Sequence, residues 1–133
     1  MASFKEHIER AKRTGNIEFY IEERTDEYVT SRMPVKQGML NPFGTVHAGA
    51  MIWLADVTAT VMAIGNTEIG EQGQGFPLAV DLHTTLLGNQ RGGEITAEAR
   101  IVRRGKRVIV VRTRVTGNEG RVLAELTSTH IPA

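Results

Sequence analysis

The feature that most constrains this chain is one long apolar stretch that contains a single charge. Residues 48–65 read AGAMIWLADVTATVMAIG, and Asp56 is the only charged residue among them. The stretch predicts a helix from about His47 to Gly65, and because that helix is apolar nearly all round, other structure must enclose it. Aspartate is unfavourable inside a helix, and a buried carboxylate without a partner is costly. The pattern therefore predicts a central helix that carries one acid with a special role.

The chain after this helix alternates between apolar and polar residues, which is the period of a β-strand. Alternating runs cover residues 78–86, 95–101, 109–115 and 122–130, and two strand-like segments, residues 17–22 and 27–34, precede the helix. The first run predicts one shared face for Leu78, Val80, Leu82, Thr84 and Leu86. Short turns between the runs predict antiparallel pairing. We therefore predict an α+β fold, with an antiparallel sheet of about five or six strands wrapped around one long central helix.

Length, charge and residue usage narrow the classes of function. The 133 residues predict a single domain, residues 1–133, and Ser3 with Glu6 has capping-box spacing for a short helix that ends at Gly15. A net charge of +1 does not suggest nucleic-acid binding. The absence of cysteine excludes disulfides, thiolate metal sites and a cysteine nucleophile. No secretory signal or membrane span is predicted, so a cytoplasmic protein is expected.

The start of the helix and Asp56 together form the candidate site. The loop at residues 41–47, NPFGTVH, delivers His47 to the helix, where the N–H groups of Ala48 and Gly49 have no intrahelical acceptor. The helix dipole is positive there, so these N–H groups could stabilise an oxyanion.

Asp56 shares a helix face with Gly49, Trp53 and Thr60. Its mostly apolar neighbours should raise the pKa of the carboxyl group, as a general acid or base near neutrality needs. Thr60, one turn further on, could hydrogen-bond to the carboxylate or to an attacking water.

Simpler interpretations exist for each of these residues. Asp56 could be structural, either hydrogen-bonded to the backbone or paired with a cation across a subunit contact. His47 could merely cap the helix, with the small residues after it packing tightly. The basic turn at residues 103–107, RRGKR, could bind phosphates of a bulky anion or only keep a hairpin soluble.

Three other kinds of site find little support in the residue pattern. Ser3, Ser31 and Ser128 lack the setting of a nucleophile elbow, so no serine triad is predicted. The four histidines are scattered without paired ligand spacing, so no metal site is predicted; they are His7, His47, His83 and His130. The glycines of residues 70–75 do not lead from a strand into a helix, which argues against a dinucleotide loop.

The run that includes Asn41, Gly44, residues 47–49 (HAG) and residues 54–56 (LAD) resembles the hotdog-fold acyl-CoA thioesterases. It is most similar to the branch that contains the phenylacetate-pathway and 4-hydroxybenzoyl-CoA thioesterases, which carry a carboxylate on the helix. The similarity covers about residues 34–131. It implies a hotdog fold and hydrolysis of an acyl-CoA thioester. The family commonly has two glycines after the histidine, and Ala48 replaces the first of them here.

The resemblance also implies how the subunits and residues would be arranged. Two subunits would join their sheets side by side, dimers often pair into tetramers, and active sites would lie at the interface. Asp56, as nucleophile or general base, would face the His47 loop of the other subunit. Ala48 or Gly49 would polarise the carbonyl group through its N–H. His47 and Asn41 would orient the thioester or water, and Thr60 would assist. No metal or separate cofactor is implied, and the coenzyme A part of the substrate would pass Leu87, Gly88, Asn89, Gly105, Lys106 and Arg107.

Other functions stay open from the sequence. A hotdog hydratase or dehydratase would also act on acyl thioesters, and a non-catalytic module could bind acyl-CoA without cleaving it. The acyl group is open as well. An aromatic or medium-chain pocket could be shaped by four large side chains that could equally belong to the core, namely Met51, Trp53, Met62 and Phe76.

Overall fold

Six strands and one long helix make up most of residues 15–133, which is the part of the chain that the computed structural model describes. The helix predicted to begin near Ser3 falls before this part. In chain order the elements are β1 (Tyr20–Arg24), β2 (Val29–Pro34), α1 (Ala48–Ile64), β3 (Pro77–Leu86), β4 (Glu94–Arg104), β5 (Ile109–Thr116) and β6 (Val122–Pro132). One-turn 3-10 helices occupy Gln37–Met39 and Asn118–Gly120. No helix in residues 15–133 is long and apolar enough to cross a membrane.

The six strands form one sheet in the order β1-β2-β4-β5-β6-β3, and every neighbouring pair is antiparallel. The predicted α+β architecture is therefore confirmed, with six strands. The strand that follows the helix in the chain, β3, does not pair with the strand before it. It lies at the sheet edge beside β6. This placement leaves one side of β3 without a strand partner in the described chain.

The helix packs on the inner face of the sheet through its smallest and its most flexible residues. Alanines at 50, 55, 59 and 63 and the methionines at 51 and 62 are buried along α1. Facing them, β4 contributes the buried Ala97 and Ala99, whose small side chains let the helix approach closely. The predicted alternation of β4 and β5 is confirmed, because inward residues are buried and outward ones are more exposed.

One face of α1 is only half-buried, so the predicted enclosure of this helix is partial in a single chain. Trp53, Asp56, Val57, Thr60 and Ile64 all lie on this face. Burial of the opposite face stabilises the fold, whereas this face stays available to another molecule.

The single predicted face of β3 is wrong, because Val80 forms a bulge. The pairing with β6 shifts between Ala79 and Asp81, so one extra residue enters the strand. Leu78 consequently pairs with the exposed Ile131, while Leu82 pairs with the buried Ser128. Residues that pair directly share a face, so Leu78 and Leu82 lie on opposite faces.

Two arginines from the sheet close the C-terminal end of the helix. Arg24 Nη2 donates to the Gly65 carbonyl over 2.5 Å, and Arg104 donates to the Met62 and Ala63 carbonyls over 3.0 and 2.8 Å. The last carbonyl groups of a helix lack intrahelical partners and carry the negative end of its dipole, so guanidinium groups stabilise them. Gly65 has a φ of +53°, and a Cβ there would lie 2.9 Å from Arg104 Nη2. Glycine therefore ends the helix where the sequence predicts.

Candidate active site

The loop before the helix is held by Asn41. Its Oδ1 accepts from the N–H groups of Phe43 and Thr45 over 2.9 and 3.2 Å, and its Nδ2 donates to Thr45 Oγ1 over 2.7 Å. Asparagine is suited to this task because its side chain can bond to the backbone two residues on. Two backbone bonds fix the end of the loop, from Val46 N–H to Gln90 O and from His47 N–H to Met39 O. The predicted site residue Asn41 thus shapes the approach to the helix.

The first turn of the helix presents free amide groups. His47 stands at the N-cap with φ −65° and ψ 139°, and its side chain makes no capping hydrogen bond. His47 thus caps the helix by position, as the simpler interpretation has it, while its imidazole stays free of the helix backbone. Its carbonyl accepts from the N–H groups of Ala50 and Met51. Within residues 15–133 no acceptor meets the N–H of Ala48 or of Gly49, so both can donate to a ligand.

The imidazole of His47 lies close to these amide groups. A Cβ placed on Gly49 would be 3.9 Å from His47 Nδ1, and both residues are exposed. A polar group bound at the first turn would therefore meet two N–H donors and one imidazole ring, together with the positive end of the helix dipole.

Asp56 lies in a different depression, which we call the Asp56 trough. This trough has a volume of about 520 Å³ and is lined by Asp56, Val57, Thr60, Val61, Ile64, Phe76, Leu78 and Ala79. Asp56 Oδ1 is buried, and no donor in the described part of the chain bonds to it. A buried acceptor without a partner costs about 1–3 kcal/mol. Since Thr60 lines the trough without bonding to this oxygen, the carboxylate is left to a donor from another molecule.

One chain alone does not bring the acid and the amide donors together. Asp56 follows Ala48 by eight residues, which is a rise of about 12 Å along the helix axis. A base and an oxyanion donor must each lie within about 3 Å of the same reacting group. The trough also lies beside the start of β3, whereas the loop before His47 bonds to Gln90, beyond the end of β3. The acid and the amide donors of one chain therefore do not meet around one reacting group.

The residues implied for the coenzyme A path form two separate groups. Leu87 and Gly88 follow β3 and donate through their N–H groups to Leu123 O. Lys106 and Arg107 lie in the β4–β5 turn, beside Pro77 at the opposite end of β3, and line a cavity of about 230 Å³. Because a strand of this length spans roughly 33 Å, the structure does not unite the two groups within one chain.

Local hydrogen bonds hold both groups, and the β4–β5 turn keeps positive charge for an anion. Asn89 Oδ1 accepts from the N–H of Gln90 over 2.8 Å. Gly105 closes the β4–β5 turn, since its N–H donates to Val108 O over 2.9 Å. Arg104, the neighbour of this glycine, is committed to the helix end. The positive charge left for an anion in this turn therefore comes from Arg103, Lys106 and Arg107.

The four large side chains considered for an acyl pocket lie in different environments. Met51 and Met62 are buried in the core. Trp53 packs edge-to-face on Phe19, with ring centroids 5.1 Å apart and an interplanar angle of 87°. Only Phe76 lines the Asp56 trough. The trough is otherwise lined mainly by aliphatic side chains.

His130 is a residue near the site that the sequence pattern did not single out. This residue is fully buried on β6, and its Nε2 lies 2.8 Å from Ser128 Oγ. Burial lowers the pKa of His130, and the opposing effects of the Pro77 carbonyl and of the negative charge on Asp56 are smaller. A signal was present in the sequence, because Ser128 and His130 alternate on one face of a strand. Their burial, however, depends on the strands on either side.

No group of three His, Asp or Glu side chains in residues 15–133 is arranged to hold a metal ion. Ser31 bonds to Thr58 Oγ1 between the sheet and the helix, so its hydroxyl group has a structural task. The site offers a ligand two backbone amide donors, an imidazole and a carboxylate acceptor.

One helix packed on a six-stranded antiparallel sheet is the arrangement of the hotdog fold. Here the helix carries free amide donors at its start and an acid in its middle. Residues 43–124 match the family model described as the Thioesterase superfamily. This match covers more than half of the chain, and the chain therefore belongs to that superfamily, whose members are hydrolases of thioesters.

Three relatives illustrate the similarity. "Putative esterase PA1618" of Pseudomonas aeruginosa is 28% identical over 109 residues, which are 80% of this chain and 73% of that protein. A "Putative esterase" of Deinococcus radiodurans is 34% identical over 95 residues, 71% of this chain but only 57% of that protein. A hypothetical thioesterase protein of Streptococcus pneumoniae, solved with coenzyme A, has a TM-score of 0.76 at 20% identity and covers 87% of this chain and 86% of its own. This last similarity shows the fold alone.

Proposed function

We propose that the protein hydrolyses an acyl-CoA thioester to a free carboxylic acid and coenzyme A. The observation that carries the proposal is the buried, unpartnered Oδ1 of Asp56 in a thioesterase-superfamily fold. A catalytic carboxylate needs a lone pair that the protein itself does not use, and Asp56 Oδ1 has no donor in the described part of the chain. The solved relative that contains coenzyme A supports this class of substrate.

In the proposed reaction the thioester lies between two copies of the chain. The N–H of Ala48, or that of Gly49, donates to the carbonyl oxygen and stabilises the negative charge that develops there. Asp56 of the other copy takes a proton from an attacking water or attacks the carbonyl carbon itself. The carbon–sulfur bond then breaks, and the thiolate of coenzyme A leaves and takes up the proton that Asp56 removed from water. If Asp56 attacks the carbonyl carbon itself, the thiolate takes its proton from solvent, and water then hydrolyses the anhydride formed on Asp56 and releases the acid.

Several residues would orient the substrate. His47 projects beside the amide donors and would position the thioester or the water. Asn41 would act by holding the loop that places His47, since its amide group is bonded within this loop. Thr60 lies beside Asp56 in the trough and would hold the attacking water. Coenzyme A would run along Leu87, Gly88 and Asn89 of one copy and the Gly105, Lys106 and Arg107 turn of the other, which would unite the two separated groups.

The edge strand β3 supports this pairing of two copies. It has a neighbour on one side only, and several of its apolar side chains are exposed, among them Val80 at 55% and Leu86 at 51%. An exposed apolar edge strand is a template for pairing with another chain. Two β3 strands that pair across a two-fold axis would join the sheets and cover the half-buried face of each helix. A homodimer, or a tetramer of two such dimers, is therefore part of the proposal.

The decisive experiment measures thiol release from a panel of aryl and aliphatic acyl-CoAs by the wild type and by Asp56→Asn. Asparagine keeps the shape of the side chain but cannot accept a proton, so we expect turnover to fall about 100-fold or more. Asp26→Asn removes a carboxylate from the exposed β1–β2 turn and is the matched control, with turnover unchanged. Near-normal turnover in a folded Asp56→Asn protein would overturn the role of Asp56. Tight binding of acyl-CoA without thiol release would point to a binding module instead.

A further inference from the structure

His130 lies behind the Asp56 trough and is not used by the proposed reaction. Its ring bridges β6 and the start of β3, since Nε2 lies 2.8 Å from Ser128 Oγ and Nδ1 lies 3.3 Å from the Pro77 carbonyl oxygen. Phe76, Leu78 and Ala79, the trough residues of this segment, flank Pro77, and Ala79 is the β3 partner of His130. The histidine thus fixes the part of β3 that forms the wall of the trough.

The two contacts define the neutral form of the ring. The Pro77 carbonyl oxygen can only accept, so Nδ1 carries the proton and donates to it. Nε2 then accepts from the hydroxyl group of Ser128. Both ring nitrogens are satisfied without charge, which is what full burial requires.

Ser128, His130 and Asp56 have the residue types of a nucleophilic triad but not its geometry. In such a triad the second ring nitrogen of the histidine donates to the acid. Here Nδ1 meets a backbone carbonyl instead, and the side chains of Ser128 and His130 are both 0% exposed. No substrate reaches Ser128 Oγ, so this pair is not a second nucleophilic site.

Charged groups around His130 come from four elements. On the helix, the negative charge of Asp56 acts on the ring. On the sheet, Ile109 pairs with Arg104 on one side and with His130 on the other, so Arg104 and His130 lie on the same inner face. The guanidinium group of Arg104 is, however, bound to helix carbonyls. Asp81 and His83 of β3 pair with Thr129 and Thr127 and therefore face outward. Arg112 of β5 also pairs with Thr127 and faces outward. Asp56 is thus the unpaired charge that faces the ring.

We propose that His130 is a positioning residue for Asp56 that makes the site sensitive to pH. In its neutral form it holds the trough wall beside Asp56 through Ser128 and Pro77. Once protonated it becomes a buried cation near the carboxylate, and its Nε2 changes from an acceptor to a donor toward Ser128, so the contacts that hold the trough wall change. The inference rests on the proposed role of Asp56 as a base or nucleophile.

The sign of the pH effect follows from burial. Because burial lowers the pKa of His130 in the folded chain, the unfolded chain takes up a proton first as the pH falls below the ordinary histidine value of 6.5. The contribution of His130 to folding stability is therefore complete above pH 6.5 and is lost as the pH falls from there to the lower pKa of the folded state. Below that value the folded protein also carries the buried cation, and turnover declines.

The test compares the pH dependence of kcat for acyl-CoA hydrolysis in the wild type and in His130→Gln. Glutamine can replace both hydrogen bonds but cannot take up a proton, so we expect a normal plateau above pH 7.5 and an acidic limb moved to lower pH. We express kcat as a fraction of each protein's own plateau value. One pH unit below the wild-type midpoint, this fraction should be about threefold or more higher in the variant than in the wild type. A folded variant with an unchanged acidic limb would overturn the inference.

A second measurement depends neither on activity nor on the folding of His130→Gln. The His130 ring is titrated by NMR in the wild-type protein and in Asp56→Asn, with the exposed, outward His83 as the control. Loss of the nearby negative charge should lower the midpoint of His130 and leave that of His83 unchanged. An unchanged His130 midpoint would refute the coupling. If this shift appears while no acyl-CoA is cleaved, the proposed reaction fails and the coupling stands.

Discussion

Ala48→Pro is the substitution that isolates the proposed oxyanion donor most cleanly. Proline lacks an N–H, and Ala48 occupies the first position of α1, where proline is tolerated because that N–H has no intrahelical acceptor. Proline also restricts the residue before it to extended conformations. His47 already has φ −65° and ψ 139°, so the loop need not move. The variant should fold with the wild-type free energy of unfolding to within about 0.5 kcal/mol.

The expected loss of activity is large by comparison. Removal of one oxyanion donor lowers kcat roughly 100- to 1,000-fold, about 2.7–4 kcal/mol of transition-state stabilisation. Thiol release at saturating acyl-CoA measures it, and thermal unfolding confirms the fold. Ala48→Ser is the matched control, because serine keeps the N–H at the same position of the helix. A folded Ala48→Pro protein with near-normal kcat would refute Ala48 as the donor.

The same variant tests whether each site is shared between two copies. Ala48→Pro and Asp56→Asn are each expected to be inactive, but a mixed dimer would contain one site with both wild-type groups. Random pairing after joint refolding should restore roughly a quarter of the wild-type activity, because half of the dimers are mixed and each has one intact site of two. If the mixture is no more active than its components, a site shared in this way is excluded.

Two further substitutions probe how the site is held in place. Asn41→Asp keeps the acceptor for the Phe43 and Thr45 N–H groups, so it should retain most of the turnover that Asn41→Ala loses. Equal loss in both variants would mean that the Asn41 amide touches the substrate itself. Gly65→Ala places a Cβ 2.9 Å from Arg104 Nη2 at a φ of +53°, and it should lower the free energy of unfolding by about 1–3 kcal/mol. Chemical denaturation measures this cost, and an unchanged midpoint would contradict the role given to the glycine.

The sequence predicted the helix and the strands well because their patterns are local. The helix was predicted from about His47 to Gly65, and it spans Ala48–Ile64, with His47 and Gly65 as its caps. Alternation predicted β4 and β5 to within a few residues, because neighbours in the chain alone decide which side chains share a face. The first strand was less accurate, predicted at residues 17–22 and found at Tyr20–Arg24.

Errors appeared where a residue's environment depends on a distant strand. The bulge at Val80 reverses the face of Leu78, and only pairing with β6 reveals it. Arg104 belongs to a basic turn in the sequence, yet its guanidinium group closes the helix end. In the sequence His130 is one of four scattered histidines, whereas in the structure it is buried on β6 between β3 and β5. Contacts between residues far apart in the chain are not encoded in local periodicity.

The sequence by itself determined an apolar helix with one acid, a histidine loop at its start and an antiparallel sheet around it, because hydrophobic period and turn residues act over a few positions. Tertiary structure decided that Asp56 Oδ1 is buried without a partner and that β3 is an open edge. It also buried His130 against Pro77 at the start of β3, next to the residues that line the Asp56 trough. These features arise from strand order and packing, where surfaces far apart in the chain compete to bury apolar area and satisfy polar groups.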